Sequence, residues 1–286
     1  MASPTLRQRQ LARRLRELRH EAGLSIAEVA EQLLCSQAKI SRIETAQRRT
    51  SLRDVRDLCS LYGVDDPSAL MELAREARNT SWWLESENSD LRPLIGLETE
   101  AIKMTQYDTT TVPGLLQTAE YARAVIRGYL PLIAPKVLDE RVEVRMRRQE
   151  VLSKADPPLY WVLLDESALQ RHIGGAQVMA DQLRRLLEAA ELSHVILQII
   201  PYTVGAHMGL DAAFTLLEFD LDAGVSDTVY METLLHIYYE EKPQQLARFA
   251  EILNQLRATA LSPQESANRI SRYQVQFERQ AAQESL

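Results

Sequence analysis

Apolar residues recur at helical spacing through the first eighty positions, then give way to short apolar runs that alternate with further helical stretches. Leu11, Leu15, Leu18 and Ala22 fall on one face of a first helix, and Gly23 closes it as a C-cap. From Gly23 to Glu44 the run GLSIAEVAEQLLCSQAKISRIE predicts two short amphipathic helices joined by a tight turn. Ser25, with Glu28 three residues on, is a capping box, and Ala27, Ala30 and Leu33, with Val29 beside them, form the buried stripe of the helix it opens. The pattern breaks at Leu34-Cys35 and restarts at Ser36, a second N-cap. In the next helix Ile40 and Ile43 face inward, leaving Gln37, Ala38, Lys39, Ser41 and Arg42 outward. Leu52, Val55, Leu58 and Leu61 mark a fourth helix; Leu70, Leu73 and Ala74 mark a fifth.

The later pattern is mixed. Ala101 to Thr111 alternates as a strand that Pro113-Gly114 ends. Leu115–Leu130 and Leu138–Lys154 read as helices. Leu159–Glu166 and Val195–Pro201 are short runs rich in β-formers, hence buried strands, with helical segments between them. Ala212–Phe219, Asp227–Thr233 and Leu234–Glu241 complete a sheet of about five strands. After Pro243 the chain is helical, and Ser262 with Glu265 caps a segment in which Ile270, Tyr273 and Phe277 share a stripe. With no evident core to receive it, that stripe predicts a dimerisation arm. The fold expected is an N-terminal all-α domain of five helices, followed by an α+β domain with a mixed or antiparallel sheet and a helical tail. The boundaries expected are 1–80 for the helical domain, 81–97 for a linker, 98–262 for the α+β domain and 263–286 for the tail.

Charge sharpens this division. The 286 residues carry a formal charge of −7, yet residues 1–56 hold 12 Lys and Arg against 6 Asp and Glu, a net of +6. Residues 81–286 hold 19 against 29, a net of −10. A basic head on an acidic body fits a DNA reader joined to a domain with another task. Cys35 and Cys59 have no CxxC partner, and the histidines have no metal-ligand spacing, so no metal or cofactor is expected. No run of eighteen apolar residues occurs and the first ten residues are polar, so the expectation is a cytoplasmic protein with no membrane partner.

The two capped helices have the layout of a helix-turn-helix, whose second helix lies in the major groove. Gln37 can pair bidentately with adenine and Arg42 with guanine, while Lys39 and Arg49 are placed for phosphates. Ser36, Ala38, Ser41, Gln47 and Arg48 complete the candidate DNA-binding set. The run LRELRHEAGLSIAEVAEQLLCSQAKISRIE, with the basic QRR and LRDVRDLCSLYGV after it, resembles the XRE-type repressor domain, whose five helices are similar to those of lambdoid phage repressors. The resemblance implies double-stranded DNA as partner, binding as a homodimer, and an ion pair between Arg19 and Glu44. Two positions depart from that family: Ile26 stands where Gln is usual, and Thr45-Ala46 replaces a Gly-containing turn.

VPGLLQTAEYARAVI, the R-x-x-R-Q-x-V-L of Arg145 to Leu152, LLDESALQRHIGG, QLRRLLEAA and PYTVGAHMGLDAAFTLLEF together resemble the C-terminal domain of WhiJ-like regulators. That resemblance implies an actinobacterial regulator of development or antibiotic production, nucleoid-associated when on DNA. It also implies a small protein encoded in the adjacent gene, in an arrangement likened to toxin and antitoxin. No enzyme is expected. Asp165 and Glu166 are adjacent on a strand and face opposite ways, so they cannot flank one substrate; Glu166 is expected to help begin the next helix. Arg145, Arg147 and Arg148 fit either a solvated, salt-bridged helix face or an anion pocket. The loop with Gly205, His207, Met208 and Gly209 is a candidate ligand or partner site, or a purely structural turn. The leading expectation is a sequence-specific transcriptional regulator, and its rival is an antitoxin-like module that holds a small protein and uses DNA for autoregulation.

Overall fold

The computed structural model describes residues 6–77, 92–220, 226–233 and 236–284. Contacts divide the chain into two units, Met1–Glu100 with Phe219–Ser226, and Ala101–Glu218 with Asp227–Leu286. The first contains α1 (Leu6–Glu21), α2 (Ile26–Gln32), α3 (Gln37–Glu44), α4 (Leu52–Leu61), α5 (Ser68–Glu76) and α6 (Arg92–Glu100). Of the expected linker, residues 81–91 lie outside the described residues. Residues 92–97 are helical instead, because Leu94, Ile95 and Leu97 give α6 an apolar face that is buried.

Leu11, Leu15, Val29, Ile40, Ile43, Val55, Leu58 and Ala74 form the core of α1–α5. Two alanines assigned to buried stripes are exposed, Ala22 and Ala27. Ala22 lies beyond the last turn of α1. On α2 the inward face is Ile26, Val29, Ala30 and Leu33, the i, i+3, i+4, i+7 set, and Ala27 is turned out of it; Ile26 packs on the core.

The helix ends set the geometry of the motif. α1 closes with Gly23 at φ 68°, the Gly23 N–H donating to His20 O and the Leu24 N–H to Arg19 O, the Schellman pattern. α2 closes in the same way, Leu34 N–H to Glu31 O and Cys35 N–H to Ala30 O, but with leucine at φ 49°. After α3 the left-handed position is Ala46, at φ 56°, whose carbonyl accepts from Gln8 Nε2 at 2.7 Å.

The second unit is built on a mixed sheet of six strands, one more than expected, in the order β3-β2-β1-β4-β5-β6. The strands are β1 (Lys103–Asp108), β2 (Leu159–Asp165), β3 (Val195–Ile200), β4 (Phe214–Glu218), β5 (Thr228–Glu232) and β6 (Ile237–Glu240). β1, β2 and β3 are parallel, and β4, β5 and β6 add antiparallel. The helices are α7 (Ala119–Tyr129), α8 (Pro135–Arg148), α9 (Ser167–Gln170), α10 (Ala176–Ala190), α11 (Pro243–Thr259) and α12 (Pro263–Glu284). Leu253 and Leu256 of α11 cover the sheet face made by Tyr107, Leu163, Phe214, Leu216 and Val229.

The stripe expected to form a dimer arm packs into its own unit: α12 lies along α10 and β3, and Ile270 and Phe277 are buried there. The same segment closes the edge of β3. Leu261 N–H donates to Ile199 O at 2.8 Å, and Ile199 N–H donates to Ser266 Oγ at 2.9 Å, so a strand edge that would template pairing is occupied.

Candidate nucleic-acid interface

The N-terminal face of α3 is open. Ser36, Gln37, Ala38 and Arg42 are exposed, as are Gln47, Arg48 and Arg49 just beyond the helix, while Lys39 and Ser41 are half-buried. Ser36 Oγ accepts from Lys39 N–H at 3.2 Å, which starts the helix at the turn. Arg42 Nε donates to Ala38 O at 3.0 Å, laying its guanidinium along the exposed face.

Beneath that face sits an ion pair. Arg19 Nε lies 2.7 Å from Glu44 Oε1 and Nη2 lies 3.0 Å from Oε2, with both side chains buried. Nη1 donates to Leu24 O at 2.8 Å, so one guanidinium ties α1, the entry to α2 and the last residue of α3. The hydrogen bonds from Glu44 raise the Arg19 pKa above its ordinary value. The planar fork suits this bidentate geometry and lysine could not reproduce it. Tyr62, buried close by, has its hydroxyl pushed upward by burial and then by the Glu44 charge.

In the second unit the expected carboxylates have structural work. Asp165 Oδ1, not Glu166, accepts the Ser167 N–H that begins α9, at 2.9 Å. Glu166 is buried and receives Tyr202 N–H at 2.9 Å, Tyr273 O–H at 2.8 Å and the Arg269 guanidinium. Burial works to raise its pKa, and those hydrogen bonds outweigh it and hold it low. Within the 205–209 loop, Met208 is exposed and the His207 side chain is buried, edge-on to Tyr107. Gly209 N–H donates to His207 Nδ1 at 3.2 Å, which leaves Nε2 toward Asp165 Oδ2 at 3.6 Å. A Cβ on Gly209 would come within 2.4 Å of the Tyr107 ring, so only glycine fits. Arg145, Arg147 and Arg148 all lie in the last turn of α8.

Residues 91–272 match a family model described as a domain of unknown function (DUF5753). The chain belongs to this family. Residues 10–73 of this DUF5753 protein match the model of a helix-turn-helix domain, which makes it a DNA-binding regulator. No curated protein and no solved structure matches the chain. Among its described residues no helix is long and apolar enough to cross a membrane. Two residues of this DUF5753 protein that sequence reasoning left out bear on the interface. Asp54 receives the Lys39 ammonium, and Gln8 holds the turn after α3. Ser51-x-x-Asp54 was readable as a cap of α4, but its link to Lys39 crosses between helices and leaves no local pattern.

Proposed function

We propose that the protein binds operator DNA sequence-specifically as a homodimer, an XRE-type regulator whose second unit receives a signal. Gln37 and Arg42 read base edges; Ser36, Ala38, Ser41, Gln47, Arg48 and Arg49 line the contact, with the two arginines on phosphates. The observation that carries this reading is the exposed α3 face held on a scaffold by the buried Arg19–Glu44 pair. One reader helix spans few base pairs, so specificity calls for two half-sites about 34 Å apart or a multiple of it. Selection from a random duplex pool tests this. The expected result is a two-fold symmetric site occupied by two chains, and failure to enrich any sequence overturns it.

A second reading, the antitoxin-like module, is favoured by exposed Tyr202, Met208 and Leu210 around the Gly205–Gly209 loop, an apolar surface suited to a small protein partner. Co-expression with the product of the adjacent gene, followed by loss of co-purification in Met208→Asp, supports it. A pair that never co-purifies removes it.

A further inference from the structure

A polar cleft lies where α8 faces the sheet of the second unit. The register pairs Gln106 with Thr215, Thr215 with Tyr230, and Tyr230 with Tyr239, which puts these four residues on one sheet face. Asp108, two residues along β1, shares that face. Gln106 Nε2 donates to Asp108 Oδ2 at 2.6 Å, and Tyr230 O–H donates to Glu232 Oε2 at 2.7 Å. The Tyr239 ring packs on Tyr230 with centroids 5.5 Å apart. From α8, Arg148 acts electrostatically on both Asp108 and Tyr230, and Arg145 on Glu232. β1 ends here with parallel β2 on one side and antiparallel β4 on the other, the kind of strand end beside which diverging connections leave a crevice.

Two features set this place apart from a solvated helix face. Asp108 keeps some solvent-accessible surface, yet burial pushes its carboxyl up to about 7 against the pull of Gln106 and Arg148. Solvent reach combined with strong desolvation describes the floor of a narrow cleft. Arg145 is the second feature. Among the described residues its hydrogen-bond partner is a neutral acceptor, Gln117 Oε1 at 2.9 Å, and no carboxylate lies within ion-pair distance. Burial first, and then Arg148, lower its pKa to about 10. A desolvated guanidinium with most of its donors unanswered is costly, and an anion with two oxygens answers it with a bidentate pair.

We propose that this cleft binds the carboxylate or phosphate group of a small metabolite, with Arg145 as the anchoring cation, Arg148 beside it and Gln106 and Asp108 as the polar floor. Tyr239 and Tyr129, both exposed, stand at the rim for the body of the ligand. The proposal rests on the signal-receiving reading above and names its site. It also carries a pH dependence. Protonation of Asp108 removes a negative charge facing the anion, so affinity rises as pH falls through about 7. The other groups acting on Asp108 are Arg148, Tyr107 and Tyr121, with Glu232 facing Arg145. Tyr107, Tyr121 and Tyr230 are all pushed upward by burial, away from this range.

The test is thermal unfolding of the full chain, without DNA, in succinate, inorganic phosphate or chloride at equal ionic strength. Succinate or phosphate should raise the melting temperature above chloride, and Arg145→Gln should require at least about tenfold more anion for the same rise, since tenfold is one lost interaction of about 1.4 kcal/mol. A general salt effect would be the same in both chains, and that result overturns the site. Should Arg145→Gln not fold, Asp108→Asn decides. Wild type should bind succinate more tightly at pH 6 than at pH 8, by up to about tenfold, and Asp108→Asn should erase the difference; a pH-independent wild type overturns the proposal. Anion binding without operator selection would leave the site standing and remove the regulator reading, and the converse would remove the site alone.

Discussion

The ammonium of Lys39 on the reader helix donates to Asp54 Oδ1 at 2.5 Å, and Asp54 in turn caps α4 through Ser51. A cation expected to face phosphate thus joins α3 to α4. Burial works to raise the Asp54 carboxyl, and the hydrogen bonds from Lys39 and Ser51 outweigh it and keep its pKa below the ordinary value. A depressed folded pKa contributes stability that is present above the unfolded value of about 3.9 and lost as pH falls through the folded one, so this link fails only in acid. Asp54→Asn should release Lys39 to DNA, steepening the salt dependence of binding by about one phosphate contact, at a cost of about 1 kcal/mol for the weakened cap. Fluorescence anisotropy across a salt series reads the slope; an unchanged slope would mean that Lys39 meets no phosphate even when free.

Arg42 rests on its own helix through Ala38 O and must swing away to reach a base. Arg42→Ala should cost about 1–3 kcal/mol on a selected operator and relax preference at one position, and Gln37→Ala should do so at another. Arg49→Ala should weaken all sequences alike. Binding to operator variants, base by base, separates these outcomes, and unchanged preference in Arg42→Ala would shift the register assigned to α3.

Removing one partner of the Arg19–Glu44 pair leaves the other charged and buried. Arg19→Ala should lose about 3–5 kcal/mol, whereas the paired change Arg19→Met with Glu44→Leu should lose much less, because neither charge remains. Unfolding in urea, followed by circular dichroism, compares the three chains. Equal losses in the single and paired variants would show that packing, not charge, is what the site supplies.

Leu34 is 94% exposed and sits in the left-handed region. A side chain in that conformation costs roughly 1–2 kcal/mol, and no buried contact compensates here. Leu34→Gly should therefore raise stability by about 1 kcal/mol, after allowance for the greater entropy of glycine in the unfolded chain. Ala46→Gly should gain less, since the Ala46 methyl is buried. The check is the melting temperature of each variant, and a destabilised Leu34→Gly would reveal a contact that this exposure does not suggest.

The helical head was legible because its signals are local: the capping boxes at Ser25 and Ser51 and the breaks at Gly23 and Leu34 each act within four residues. Errors arose where one residue decides a face, as with Ile26 against Ala27, or where burial depends on distant chain. The α12 stripe seemed to lack a core because α10 and β3, which receive it, precede it by scores of residues. Glu166 read as a helix starter for the same reason: its true partners, Arg269 and Tyr273, belong to α12. The arginines of α8 stayed ambiguous because the strands they face come both before and after them in the chain.

The closing of the β3 edge by Leu261 and Ser266 has a consequence for the order of events during synthesis. Helices α1 to α5 contact one another within some seventy residues and complete their core once those residues have emerged from the ribosome. The sheet has no such freedom. Until α12 has been made, β3 keeps an open edge, Glu166 lacks its guanidinium, and the face of α10 that receives Phe277 stays wet. A nascent chain therefore carries a folded helical head well before its sheet unit is finished, and an interrupted one would release a DNA-reading fold attached to an adhesive half-sheet.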